Sequence, residues 1–275
     1  MSGTLTLVPT PIGNLSDISP RCRQALEEAD FIAAEDTRVT LKLLNHLEIK
    51  KPLVSYYEHN KEFSGKKIVE RILAGENCAQ VSDAGSPAIS DPGEDLVRLC
   101  AQSGITVTAI PGPCAAITAL SISGLPTGRF TFEGFLSTTK KNRAAHLQSL
   151  QKEQRTMIFY EAPHKLSATL TDLEQAFGGE RRISLCRELT KLHEEVLRMT
   201  LAEAVSFYTE QSPRGEYVLI VEGAPQEAEA EASMETALAR VAVLIESGSS
   251  KKDAVRQIAQ ETGLSKNALY GAALK

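Results

Sequence analysis

The stretch Gln80-Val-Ser-Asp-Ala-Gly-Ser-Pro-Ala-Ile-Ser-Asp-Pro-Gly93 decides the architecture. It enters as the end of a hydrophobic strand, breaks on small, turn-forming and rigid residues, and leaves into a helical pattern over 94–103. A break of this kind at the carboxyl end of a buried strand exposes backbone groups where open α/β sheets hold ligands. Asp83, Ala84, Gly85, Ser86 and Pro87 offer a carboxylate, free backbone amides, little bulk and a fixed bend. That set suits a nucleoside-bearing ligand better than a packed core.

Outward from this stretch, strand and helix patterns alternate. Strands are predicted at 5–8, 31–34, 53–56, 78–81 and 106–110, and helices at 20–29, 39–47, 66–73, 94–103 and 115–123. Ser19-Pro20 reads as a cap with proline in the first turn, and Gly75 and Gly104 read as helix stops. The βαβα rhythm with near-continuous apolar strands predicts a parallel sheet covered on both faces. After residue 123 the texture changes. Period-two strands at 130–135, 183–187 and 195–199, with an apolar run at 217–221, alternate with helices at 143–152, 165–177 and 201–209, which predicts a second α/β domain with a more mixed sheet. The division is placed at 1–120 and 121–225. An acidic linker follows at 226–233, then a helical tail at 234–275 whose spacing around Gly263 and Ser265 is that of a helix-turn-helix, or equally of a helical hairpin packed on its own chain.

Two further bends repeat the chemistry of the opening stretch: Pro9-Thr-Pro-Ile-Gly-Asn14 after the first strand and Pro111-Gly-Pro113 after the fifth. Neither is GxGxxG, and the chain has no GxxxxGK[ST], so neither a Rossmann dinucleotide site nor a P-loop is supported. Ala34-Glu-Asp-Thr-Arg38 ends another strand with two acids and a base. Tyr56-Tyr-Glu-His-Asn60 ends the next with groups suited to stacking a base and bonding a sugar. Charge also follows the strands before His164 and His193, and Lys140, Lys141 and Arg143 share a polar segment.

Composition bounds the classes. Of 275 residues, 42% are hydrophobic and 24% charged, as in a globular protein; no run approaches the roughly 20 apolar residues of a membrane helix, and the start lacks a leader pattern, so a cytoplasmic chain without membrane contact is expected. The net charge of −5 argues against indiscriminate nucleic-acid binding, though not against a local basic groove. The five cysteines are scattered without ligand spacing, which predicts buried thiols and no metal site.

With these residues laid out, the chain resembles the tetrapyrrole-methylase superfamily, in its branch of small-subunit ribosomal RNA cytidine 2′-O-ribose methyltransferases. The resemblance rests on TPIGNL (10–15), AAEDTR (33–38), SYYEHN (55–60), VSDAGSPAISDPG (81–93), PGP (111–113), SGLPT (123–127), FEGFL (132–136), FYEAPHK (159–165), RELTK (187–191) and GEYVLIVEG (215–223). Two positions depart from the family pattern: Ala162-Pro-His-Lys165 stands where Ser-Pro-His-Arg is usual, and Ala88 where a bulkier residue is usual. The resemblance implies two α/β domains with a cleft between them for S-adenosylmethionine, released as S-adenosylhomocysteine, plus a small C-terminal helical region. It implies a homodimer acting on 16S rRNA in the 30S subunit. Thr10, Pro11, Ile12, Gly13, Asp83, Ala84, Gly85, Ser86, Pro87, Ile89, Gly112, Ala115, Ala116, Tyr160, Glu161, Ala162, Gly215 and Glu216 would line the donor cleft. Glu35 and Asp36 are the candidate bases, with His59 and Glu188 behind them. Arg38, Lys165 and Lys191 would hold phosphates, and Tyr56 (or Tyr57), His59 and Asn60 the nucleoside. Two other readings are methylation of a small molecule, such as a porphyrinogen or a diphthamide precursor, and a nucleic-acid-binding regulator acting through the tail.

Overall fold

The computed structural model describes residues 2–225, 234–262 and 264–273. The acidic linker at 226–233 and the Gly263 turn lie outside the described residues. Contacts divide the chain into two units, Met1–Gly223 and Ala224–Lys275.

The first unit holds two five-stranded sheets. In chain order, the first half runs β1 (Thr4–Leu7), α1 (Pro20–Glu28), β2 (Phe31–Ala34), α2 (Thr37–His46), β3 (Leu53–Ser55), α3 (Lys61–Leu73), β4 (Cys78–Val81), α4 (Glu94–Gln102), β5 (Thr106–Ala109) and α5 (Ala115–Ile122). The sheet order is β3-β2-β4-β1-β5 and every pairing is parallel. Successive side chains of a strand face opposite ways, so β2 sends Ile32 and Ala34 to the core under α1 and α2 while Phe31 and Ala33 pack with Ile68, Ile72 and Leu96 under α3 and α4. Ser19 caps α1 by accepting from the Cys22 amide at 3.1 Å, with Pro20 at the first helical position.

Cover on both faces holds for the centre of this sheet and fails at its edge. Thr106, Thr108 and Ala109 of β5 are exposed, and the Thr6 and Thr108 hydroxyls hydrogen-bond each other at 3.1 Å on an open face. The alternation Thr-Val-Thr-Ala carries that half-open character. Helix α3 begins at Lys61, five residues before the apolar pattern suggests, because Gly65 lies against Leu99 and interrupts the pattern without interrupting the helix.

The second half continues with β6 (Phe130–Phe135), α6 (Lys140–Ser149), β7 (Thr156–Glu161), α7 (Pro163–Phe177), β8 (Arg182–Arg187), β9 (Glu195–Thr200), α8 (Leu201–Glu210) and β10 (Tyr217–Val221). Its order is β6-β7-β10-β8-β9, with β6 and β7 parallel and the other pairings antiparallel. One face is buried under α6, α7 and α8 through Met157, Phe159, Leu185 and Leu219. The other face receives α5: Ala116, Ala119 and Leu120 pack on Ile158, Val218 and Ile220. The last helix of the first half thus lies on the second sheet and ties the halves together. Thr200 and Glu203 form a reciprocal capping box at the start of α8.

The second unit has its own small core. Helices α9 (Met234–Glu246), α10 (Lys251–Thr262) and α11 (Lys266–Ala272) bury Ala237, Val241, Ala254, Val255, Ile258 and Leu269 against one another. Ser265 caps α11 by accepting from the Ala268 amide. Among the described residues no helix is long and apolar enough to cross a membrane.

Candidate functional site

Three strand tips of the parallel sheet meet. Thr10 and Gly85 exchange both backbone hydrogen bonds, at 2.9 and 3.0 Å, which joins the loop after β1 to the loop after β4. The Ser86 hydroxyl donates to the Pro113 carbonyl at 3.0 Å, joining the β4 loop to the turn after β5. Gly112 sits so close to the first loop that a Cβ there would fall 2.7 Å from Cβ of Pro9, and Gly85, with φ of +84°, takes a turn that other residues rarely adopt. The three bends are one knitted structure.

Against them stands the second sheet, and between the two lies a cavity of about 410 Å³. From the first half it is lined by Ile12, Ala84, Gly85, Ser86, Ile89, Ser90, Asp91, Cys114 and Ala115, and from the second by Phe135, Tyr160, Glu161, Ala162, Pro163, Cys186, Leu189, Lys191, Glu216, Tyr217 and Val218. Tyr160, at the end of β7, accepts from the Ala116 amide in the first turn of α5 at 3.1 Å, and Phe132 and Phe135 meet its ring edge-on with centroids 5.1 and 5.6 Å away. Burial pushes the Tyr160 phenol up to about 12. Lys191 bridges Glu188 and Glu216 at 2.8 and 2.9 Å, and its pKa is raised by these carboxylates despite its partial burial.

Both rims carry left-handed residues other than glycine: Ala88 and Ser90, each with φ of 66°, on one side, and Glu188 and Thr190, at 52° and 67°, on the other. Such residues persist where surrounding structure holds them, and they gather at ligand sites. Gly13 passes within 2.5 Å, measured from an ideal Cβ, of the Lys191 side chain, so the first loop also touches the 188–191 segment.

Ten of the residues expected at the donor cleft line this cavity: Ile12, Ala84, Gly85, Ser86, Ile89, Ala115, Tyr160, Glu161, Ala162 and Glu216. Pro87, Gly112, Ala116, Gly13 and Gly215 are not part of its lining; Gly112 packs against Pro9, Gly13 against Lys191 and Gly215 against Glu188. Thr10, Pro11 and Asp83 border a separate hollow of about 220 Å³ with Leu15, Val39, Lys42 and Leu43. The Asp83 carboxylate accepts from the Asp36 amide at 3.0 Å and thereby fastens the β4 tip to the β2 tip. Sequence reading missed Ser90, Asp91, Phe135, Pro163, Cys186, Leu189, Tyr217 and Val218. Asp91 carried a signal, since it ends the same polar break; the rest arrive by tertiary packing.

The acids at the β2 tip lie outside this cavity. Asp36 caps α2, accepts from the Arg38 amide at 2.8 Å and pairs with the Arg38 guanidinium at 2.6 Å, which holds its carboxyl down at about 2. A carboxylate so engaged is a poor base, which corrects the expectation for Asp36. Burial, with Asp91, Asp83 and Asp36 nearby, raises Glu35, and the Asp83 amide donates to it.

Tyr56 is a second correction. It is 1% exposed and packs with Ile68 and Leu96 in the core, so it cannot stack on a nucleoside; the exposed rings beside it are Tyr57 and His59, in edge contact at 6.2 Å. Asn60 also serves the fold, donating to the Ser55 carbonyl and accepting from the Tyr57 amide. Arg38 is exposed. Lys191 faces the cavity. Lys165 lines a second groove of about 800 Å³ between α6 and α7, with Lys140, Arg143 and Asp172.

The cavity fits a folded nucleoside donor. Its volume is in the range of small-ligand sites, its walls are apolar with a few convergent polar groups, and the close approach at Gly85 and Gly112 leaves backbone groups bare. The family model described as Tetrapyrrole (Corrin/Porphyrin) Methylases matches residues 4–205. A protein of Synechocystis sp. called Ribosomal RNA small subunit methyltransferase I is 48% identical, covering 99% of this chain and 98% of its own. Among solved structures, the methyltransferase CobJ superposes with a TM-score of 0.61 at 19% identity, over 81% of this chain and 95% of that one. Uroporphyrin-III C-methyl transferase from Thermus thermophilus, complexed with S-adenyl homocysteine, does so with 0.55 at 17% identity, over 80% and 97%.

Proposed function

The chain belongs to the tetrapyrrole (corrin/porphyrin) methylase family and is an S-adenosylmethionine-dependent methyltransferase of small-subunit ribosomal RNA; on that premise we propose that its acceptor is the 2′-hydroxyl of a cytidine ribose. The observation that carries the site is the knitting of three strand-tip bends into one wall of a cavity whose other wall is the second sheet. Similarity to a ribosomal RNA methyltransferase along 99% of the chain favours this acceptor over a small molecule or a regulatory role.

The donor supplies an activated methyl group on a sulfonium, so the protein's contribution is chiefly alignment, which for well-placed partners is about 7–11 kcal/mol. In this reading the amides and small residues at 84–86, with Ile12, Ile89, Leu189 and Val218, hold the nucleoside, and Tyr160 fixes the start of α5 against it. Lys191, between Glu188 and Glu216, sets the charge at the far side. Arg38, His59 and Lys165 stand exposed or half-exposed on the surface where RNA phosphates and bases would lie. The substrate is 16S rRNA in the 30S subunit, the protein works in the cytoplasm, and it does so as a homodimer.

Incubation with tritiated S-adenosylmethionine and 30S particles from a strain lacking the modification tests the proposal. One alkali-resistant linkage 3′ to a labelled cytidine is expected. Label confined to a base, or absent from the particles, would overturn it.

A further inference from the structure

Three carboxylates line the cavity among the described residues: Asp91, Glu161 and Glu216. Two are committed. Glu161 is 4% exposed and accepts from the Ala162 amide at 2.8 Å and from the Thr169 hydroxyl at 2.5 Å, while Thr169 is itself held by Arg143 at 2.8 Å. Glu216 is paired with Lys191. Among the described residues no ion pair engages Asp91, and the Ser82 hydroxyl near it donates to the Gly85 carbonyl at 3.4 Å.

The backbone around Asp91 is held from several directions. Ala88 and Ser90 are left-handed, and Gly93 has φ of 153° with so little room that a Cβ would fall 2.4 Å from Nε2 of Gln80. That same Nε2, on a side chain 1% exposed, donates to the Pro92 carbonyl at 2.9 Å. Central strand β4 therefore grips the residue next to Asp91. A carboxylate so placed has the pre-set geometry that proton transfer in a transition state requires.

From these observations, and resting on the proposed ribose methylation, we propose that Asp91 is the catalytic base that takes the proton of the acceptor hydroxyl. In that step the ribose oxygen bonds to the methyl carbon, the carbon–sulfur pair returns to sulfur to leave a neutral thioether, and the hydroxyl proton passes to an Asp91 carboxylate oxygen. Charge balances, since the sulfonium's positive charge disappears as the carboxylate's negative one does. Ionisable groups facing Asp91 are Glu35 from the β2 tip, Asp83 from the β4 tip and Tyr160 from β7. Burial, and then the neighbouring Asp83, raise its pKa against the pull of the nearby Ser82 hydroxyl, which moves it in the direction useful for a base.

The test compares D91N with the wild type and with E35Q. Expected for D91N is a fall in kcat of roughly 10²–10⁴-fold, with S-adenosylhomocysteine affinity by calorimetry within about threefold of wild type, and loss of the acid limb of the kcat–pH profile. In E35Q the limb should remain in place, because the charged neighbour that raises Asp91 is Asp83 and not Glu35. If D91N keeps kcat within threefold, keeps the limb, or loses the thioether ligand, the assignment is overturned. If D91N does not fold, D91E decides. It should bind the ligand, keep the limb and lose at least tenfold in kcat, and an unchanged rate refutes the assignment. Wild-type transfer to 30S particles is the reference: its absence sinks the proposed function, whereas transfer by both proteins sinks only the role of Asp91.

Discussion

The two sheets face one cavity with different materials. From the parallel sheet come mainly backbone groups and small residues, at 84–86 and 114–115, secured by the Thr10–Gly85 main-chain pair and by the Ser86 hydroxyl on the Pro113 carbonyl. From the mixed sheet come side chains with room to differ: Tyr160, Phe135, Lys191 and Glu216. The difference teaches how each half should respond to change. A wall made of backbone is broken by adding atoms and is indifferent to trimming, whereas a wall made of side chains loses function in graded steps as they are trimmed.

G112V presses hardest on this contrast. Its Cβ would fall 2.7 Å from Cβ of Pro9, so the β5 turn must separate from the first loop. We expect donor affinity to fall by about 100-fold, equivalent to about 2.7 kcal/mol and so at the upper end of the roughly 1–3 kcal/mol of ordinary overpacking, with helical circular dichroism retained. Binding within tenfold of wild type would show that the first wall yields.

Y160F should act an order of magnitude more gently. It removes the oxygen that accepts from the Ala116 amide and leaves the ring between Phe132 and Phe135. A net hydrogen bond of about 0.5–1.5 kcal/mol corresponds to roughly 2- to 10-fold in donor Kd. A 100-fold loss in calorimetry would place Tyr160 among the rigid parts.

D36N should do least at neutral pH, because asparagine also caps helices well. Its signature lies in acid. The Arg38 hydrogen bonds hold the Asp36 carboxyl at about 2, below its ordinary value of 3.8, so its contribution to stability is present above about pH 4 and is lost as pH falls toward 2. Acid-unfolding curves of D36N should lack that increment. Identical slopes in both proteins would mean that Arg38 does not hold the cap in solution.

Much of this was legible because turn chemistry is local. Proline and glycine at 9–13, 83–87 and 111–113 fixed the strand tips in the sequence reading, and the break at 80–93 put them on an α/β sheet. What escaped depends on partners distant in sequence. Tyr56 looked available for stacking beside Tyr57 and His59, yet it follows directly on β3 and points under α3 and α4. Asp36 looked like a base until Arg38 and the start of α2 claimed it. Asp91 read as one more turn residue, because the Gln80 contact that steadies its loop crosses from strand to loop. Cys186 and Val218 belong to a sheet, and Leu189 to the turn after β8, whose placement no local pattern reveals.

The paired left-handed residues on opposing rims carry one more implication. Ala88 with Ser90, and Glu188 with Thr190, each hold a conformation disfavoured by roughly 1–2 kcal/mol per residue. Summed over four positions, that is about the size of a typical domain's whole net stability. The jaws are cocked by the rest of the molecule before any guest arrives, so a newcomer need not spend binding strength on bending them into shape.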